Sequence, residues 1–160
     1  MQTTLARIDR AVELLVAAIF AAMVVVGLLQ VFNRFVLNAS LSWSEEVQIF
    51  GHIWLVFLTI PIAYRRGAHL HVEMIRRKFS NRANAAFDLL IELLWAAFAV
   101  ALAYLGYRVS VVAALQESPG LEIPMSYPYY GLVLGGLYLL LVAVRRLGAW
   151  FVAQSTRAAP

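Results

Sequence analysis

Asp88 and Glu92 stand at i and i+4 in an otherwise apolar run, so on a helix they share one face. A carboxylate inside a membrane can relay protons, and Glu92, about one turn deeper than Asp88, is the better placed of the two. The plainer chemistry is an ion pair with the Lys and Arg cluster that precedes the run, and that is the expectation adopted here. His52 is the only histidine within an apolar run. Bis-histidine haem ligation needs a second one, so His52 is expected to be buried and hydrogen-bonded. His69 and His71 flank Leu70, and two ligands are too few for a structural metal site.

Gln30, Asn33 and Arg34 fall at i, i+3 and i+4 near the end of the first apolar run. Lipid cannot satisfy such side chains, so each implies a contact with protein or water. Arg34 can snorkel outward or meet Glu45 or Glu46, which clamps neighbouring helices together. A contact with a partner protein is the sharper alternative; a single Arg is a thin basis for an anion pocket. Trp43 suits an aromatic interface belt. Glu45 and Glu46 suit the positive end of a helix, although capping alone does not require two carboxylates.

Catalytic arrangements are missing. The chain has no cysteine, which excludes thiolate metal sites and cysteine nucleophiles. No Ser–His–Asp set, phosphate loop or HExxH motif occurs. Neither an enzyme nor a cofactor is expected.

The elements that hold these residues follow from composition. Of 160 residues, 62% are hydrophobic and 14% charged, against roughly 45–50% and about 25% in a soluble domain. A soluble fold of one-domain length cannot hide that much apolar surface, and a bilayer can. A helix needs about 20 mostly apolar residues to cross the hydrocarbon. Four stretches qualify, at about 11–36, 47–64, 85–110 and 129–147, the third staying apolar to about Leu115. The expectation is an all-α integral membrane protein, one domain of four transmembrane helices. The first run is longer than a signal-peptide core and lacks a clear cleavage site, so it is expected to be retained.

Local signals support these limits. Ser42-Trp43-Ser44-Glu45 has the form of a capping box with Ser42 as N-cap. Ser80 or Asn81 can cap the third helix, and Pro128 suits the first turn of the fourth. Pro61 should kink the second helix or free a carbonyl upstream. Residues 116–120 form a turn-rich loop.

Basic residues orient the helices. They cluster at Arg7 and Arg10, at Arg65, Arg66, Arg76, Arg77, Lys78 and Arg82, and at Arg145, Arg146 and Arg157. The other two links are acidic or nearly neutral. The positive-inside rule then places both termini and the middle link in the cytoplasm. The net charge of +4 reflects this orientation, and nucleic acid is not an expected partner. In the middle link Val72, Met74, Ile75 and Phe79 mix with Arg76, Arg77 and Lys78, which suits a short interfacial helix on anionic lipid, or else a charged loop. Arg65, Arg66, His69, Arg76, Arg77 and Lys78 are the expected anchors at this interface.

The order of these pieces resembles a known family. Gln30-Val31-Phe32-Asn33-Arg34-Phe35, then Trp43-Ser44-Glu45-Glu46, then Arg65-Arg66-Gly67-Ala68-His69-Leu70 with Glu73, and later Leu121-Glu122-Ile123-Pro124 are similar to the DctQ-like small membrane subunit of tripartite ATP-independent periplasmic (TRAP) transporters. The likeness covers nearly the whole chain. Thr59 stands where many members carry Gly, and Glu73 where Asp is common. The resemblance implies a sodium-driven importer of organic acids such as dicarboxylates or sialic acids. A periplasmic binding protein delivers the substrate, and a large permease subunit carries the substrate and sodium sites. The small subunit binds and braces the large one, in a one-to-one ratio, in the inner membrane. By this analogy Gln30, Asn33, Arg34, Trp43, Glu45 and Glu46 are candidates for partner contact on the periplasmic side. The short polar tail ending at Pro160 predicts separate rather than fused subunits.

Two other classes compete. A self-contained homodimeric transporter needs a coupling acid, for which Glu92 is the candidate, and the chain lacks paired broken helices. A haem-bearing electron carrier needs the second core histidine.

Overall fold

The computed structural model describes residues 2–67 and 80–158. The expected interfacial helix or loop, with His69, His71, Arg76, Arg77 and Lys78, lies outside the described residues. Four helices account for the fold: α1 (Gln2–Phe35), α2 (Ser42–Arg65), α3 (Asn81–Ala113) and α4 (Ser126–Ala158). All four are long and apolar enough to cross a membrane, and no strand occurs among the described residues. The protein is an all-α, four-span membrane protein.

The helices outrun their apolar stretches. With 34, 33 and 33 residues, α1, α3 and α4 are each about 50 Å long at ~1.5 Å per residue, against roughly 30 Å of hydrocarbon. A helix satisfies its own backbone wherever the bilayer stops. It therefore continues through charged residues at which an apolar-run reading ends: Asp9 lies on such an extension, and Glu13, Arg145 and Arg146 stand in the outermost turns of the apolar runs themselves.

Helix ends follow recognisable chemistry, with one correction. Ser80 caps α3 as expected, its hydroxyl accepting from the Ala83 N–H at 3.3 Å. Pro128 lies in the first turn of α4. Gly67 follows the C-cap of α2 with φ +68°, the left-handed geometry that ends helices at little cost for Gly. The capping box at Ser42 does not form. Leu41 is the extended N-cap residue, without a side-chain cap, and Ser42 is already helical. Ser44 turns its hydroxyl back onto the Leu41 carbonyl at 2.6 Å, and Glu45 is left exposed.

The packing order is α1–α2–α4–α3. α4 contacts both α2 and α3, while α1 lies chiefly on α2. Two adjacent glycines set α4 into this position. A Cβ on Gly135 would collide with the Phe57 carbonyl group of α2, and one on Gly136 would come within 2.7 Å of the Ala103 nitrogen of α3. Pro61 has no N–H, so Phe57 is the residue whose carbonyl loses its helical donor. The core lies around this seam: Ile62, Tyr64, Ala99, Tyr138, Leu139, Val142 and Ala143. Large apolar side chains elsewhere face outward, among them Leu14, Phe20, Val24 and Leu28 on α1, which suits hydrocarbon rather than water.

Candidate functional site

The polar residues gather at opposite ends of the helices. At one end Glu46, in the first turns of α2, takes hold of the α3–α4 loop. Its carboxylate accepts from the Ser118 hydroxyl at 2.7 Å, the Gly120 N–H at 2.8 Å and the Leu121 N–H at 2.9 Å. The loop adds its own backbone bonds: Ser118 N–H to the Ile123 carbonyl at 2.9 Å and Met125 N–H to the Gln116 carbonyl at 2.9 Å. Glu122 stands at φ +54°, a conformation that non-glycine residues hold only when their surroundings fix it. The second carboxylate, which capping leaves unexplained, thus ties α2 to a loop 72 or more positions along the chain.

The expected clamp between Arg34 and Glu45 or Glu46 is not made. Glu46 is occupied by the loop, and Arg34 is exposed with no ion-pair partner among the described residues. Asn33 donates to the Leu29 carbonyl of its own helix at 2.9 Å. Gln30 is half-buried and Trp43 half-buried. In place of that clamp, a polar tie between α1 and α2 is made by Gln48, whose Nε2 donates to the Met23 carbonyl at 2.6 Å. Met23 itself lies in the space that Gly51 leaves open. His52 is exposed rather than buried, because the α2 face that turns to α1 and α4 is carried by Gln48, Gly51 and Trp54. Trp54 Nε1 donates to the Tyr127 carbonyl at 3.1 Å.

At the opposite end the charges interlock. Asp9 is 5% exposed. It accepts from the Tyr138 hydroxyl at 2.9 Å and from Arg145 Nη1 at 3.1 Å, and pairs with Arg65 Nη1 at 2.7 Å. Arg65 also reaches Glu13, which Arg66 Nη2 meets at 2.8 Å. The result is an alternating series, Arg66–Glu13–Arg65–Asp9–Arg145, that joins α1, the end of α2 and α4. Beside it Glu92 of α3, buried as its depth required, accepts from Tyr64 and from Arg146 Nε at 2.9 Å. Arg146 also donates to the Tyr64 carbonyl at 2.6 Å and lies 4.6 Å from the centre of its ring, and Tyr64 stacks on Trp95 at 4.7 Å. Asp88 is half-buried.

Sequence reasoning expected Glu92 to find a basic partner, and it does, on the C-terminal flank rather than in the middle link. Asp9 and Glu13 escaped it. Their signal was an i, i+4 acid pair, Asp9 between Arg7 and Arg10 and Glu13 just inside the first apolar stretch. Every carboxylate in this network accepts from a guanidinium, so the arrangement binds helices together; a proton relay would need a carboxylate free to change partners. Among the described residues no group of three His, Asp or Glu could hold a metal.

Comparison with known proteins gives a consistent outcome. The family described as tripartite ATP-independent periplasmic transporters, DctQ component, matches residues 23–152. The chain is 26% identical over 128 residues to the sialic acid TRAP transporter small permease protein SiaQ of Vibrio cholerae, covering 80% of this chain and 74% of that one. It is 24% identical over 144 residues to a putative TRAP transporter small permease protein of Haemophilus influenzae, covering 88% and 87%. It is also 30% identical over 112 residues to the uncharacterised protein y4mM of Sinorhizobium fredii, covering 69% of this chain and only 21% of the other.

Proposed function

The chain belongs to the DctQ-component family of tripartite ATP-independent periplasmic transporters, and from that premise we propose that it is the small membrane subunit that binds and stabilises the large permease subunit of such a transporter. As a family member it is a multi-pass protein of the bacterial inner membrane and part of a transport system. The finer reading is a sodium-coupled importer of organic acids, dicarboxylate or sialic-acid-like. Its substrate and sodium sites lie on the large subunit, and a periplasmic binding protein feeds it transiently. The small subunit performs no chemistry, and both its termini and its middle link face the cytoplasm.

The observation that carries this reading is α1. Of its most apolar stretch only 6% is buried within the chain, yet its last turns carry Gln30, Asn33 and an Arg34 that has no ion pair among the described residues. A purely lipid-facing helix has no use for three polar side chains on one face. A helix laid against another membrane protein does. Gln30, Asn33, Arg34 and Trp43 are therefore assigned to the partner contact. Glu46 acts indirectly by fixing the loop beside it, and Glu45, exposed at the start of α2, completes the same rim. The competing homodimeric transporter needs a coupling acid, and Glu92 is tied to Tyr64 and Arg146.

The test is co-expression with the large subunit from the same source and purification through a tag on the small chain. A stable one-to-one complex on a sizing column, with substrate uptake in liposomes only when both subunits and the binding protein are present, is the expected result. Uptake by the small chain alone would overturn the reading.

A further inference from the structure

The alternating series at the basic end is not neutral. Arg66, Arg65 and Arg145 supply three cations, and Glu13 and Asp9 supply two anions, so one positive charge is left over. The excess sits at the two ends of the series, where the side chains reach solvent: that of Arg66 is 63% exposed and that of Arg145 is 34% exposed. A guanidinium carries five N–H donors. Arg66 uses Nη2 on Glu13 and Arg145 uses Nη1 on Asp9, and their Nε and remaining Nη make no hydrogen bond among the described residues. Within the series Arg65 Nε is buried without an acceptor. Donors outnumber acceptors throughout this end.

The chain itself offers little to make up the difference. The link that follows Arg66 contributes by sequence a single acid, Glu73, against Arg76, Arg77 and Lys78. Arg7 and Arg10, on the exposed side of α1 beside Asp9 and Glu13, add further positive charge. Water or an external anion supplies the remaining acceptors. Arg65 is the last residue of the membrane-crossing stretch of α2 and Arg66 lies just beyond it, while Asp9 is about one turn from the start of that of α1; a basic cluster at such helix ends is suited to the lipid head-group layer. Arginine is suited to a phosphate there through paired N–H donors.

We propose that this end of the molecule binds anionic phospholipid, the head-group phosphates taken by the free guanidinium donors at the two ends of the series, chiefly those of the more exposed Arg66. The proposal does not depend on the transported substrate. It needs only that this end of the helices lies at a bilayer surface.

Native mass spectrometry of the full chain released from phosphatidylcholine nanodiscs containing phosphatidylglycerol tests it. Phosphatidylglycerol should be retained several-fold over phosphatidylcholine. Arg66→Gln, which leaves Arg65 to hold Glu13, should lower that preference at least twofold. Glu13→Gln, which raises the excess charge, should increase it. The two variants move in opposite directions, so a loss of folding cannot mimic the pattern; monodisperse elution and unchanged helical content are checked for both. Inorganic phosphate added in place of the lipid should give no thermal stabilisation, which separates a head group from a free anion. Equal retention of both lipids overturns the proposal. So does a preference that neither variant changes, since it would then arise in the 76–78 cluster. If the complex with the large subunit shows no preference while the lone chain does, an acidic segment of that subunit occupies the site and the lipid assignment fails.

Discussion

Gly135 of α4 packs against the carbonyl group of Phe57 in α2, the acceptor that Pro61 leaves without a helical donor. The two irregularities serve one another. The proline frees a carbonyl inside the membrane, where an unsatisfied polar group is costly, and the glycine lets a neighbouring backbone cover it. The Cα hydrogens of glycine can make weak contacts to such an oxygen.

Gly135→Ala should therefore separate α2 from α4. A methyl group at that position meets backbone, which cannot rotate away. The expected loss is about 1–3 kcal/mol, read as a lowered unfolding midpoint in mild detergent. Gly148→Ala has open space around the added Cβ and serves as the control, with an effect near zero.

Glu92→Gln should destabilise by about 3 kcal/mol, the lower end for breaking a buried pair, because the Arg146 side chain is 33% exposed and regains some water. The double variant Glu92→Gln with Arg146→Gln should cost less than the sum of the single ones. Unfolding midpoints for all four proteins complete the cycle. A proton-coupling role would appear differently, as lost uptake with unchanged stability.

Glu46→Gln should loosen the α3–α4 loop without unfolding the helices. A hydrogen bond to a charged group contributes about 1.5–3 kcal/mol, and each 1.4 kcal/mol is tenfold. Hydrogen exchange at the Gly120 and Leu121 amides should rise roughly 10- to 100-fold, with helix amides unchanged. Assembly with the large subunit and uptake should weaken as a secondary effect.

Arg34→Glu should disrupt co-purification with the large subunit while leaving the thermal stability of the lone chain within about 0.5 kcal/mol, the usual range for an exposed substitution. Arg108→Gln is the matched control. Arg108 donates to Tyr104 at 3.0 Å within its own helix and is expected to be indifferent to assembly.

Much of the fold was legible because a bilayer imposes a simple rule. Apolar runs of sufficient length must span, and all four did. Charge was the less reliable guide to helix ends. Sequence reading stopped α4 near Leu147, but Arg145 and Arg146 find Asp9 and Glu92, and the helix runs on to Ala158. The Ser42 capping pattern failed because the helix begins one residue earlier, with Leu41 as the N-cap residue and Ser42 already helical. Glu46 was singled out correctly as needing a reason. Its partners are two backbone amides and a hydroxyl far along the chain, and no local pattern encodes such a contact. Asp9 was missed since an acid among arginines, outside an apolar run, resembles an ordinary solvated helix start, and Glu13 since a lone acid at the mouth of an apolar run reads the same way.

The order α1–α2–α4–α3 also bears on how the chain is made. Helices leave the ribosome in sequence, so α3 enters the membrane before the helix it packs against most extensively exists. Until α4 arrives, Glu92 has no Arg146 and the α3 surface around Ala99 and Ala103 has no glycine to receive it. The nascent protein must hold three helices in the bilayer with the third joined to α2 chiefly through Tyr64, which meets Glu92 and Trp95. α4 then enters between α2 and α3, so one helix closes both seams at once.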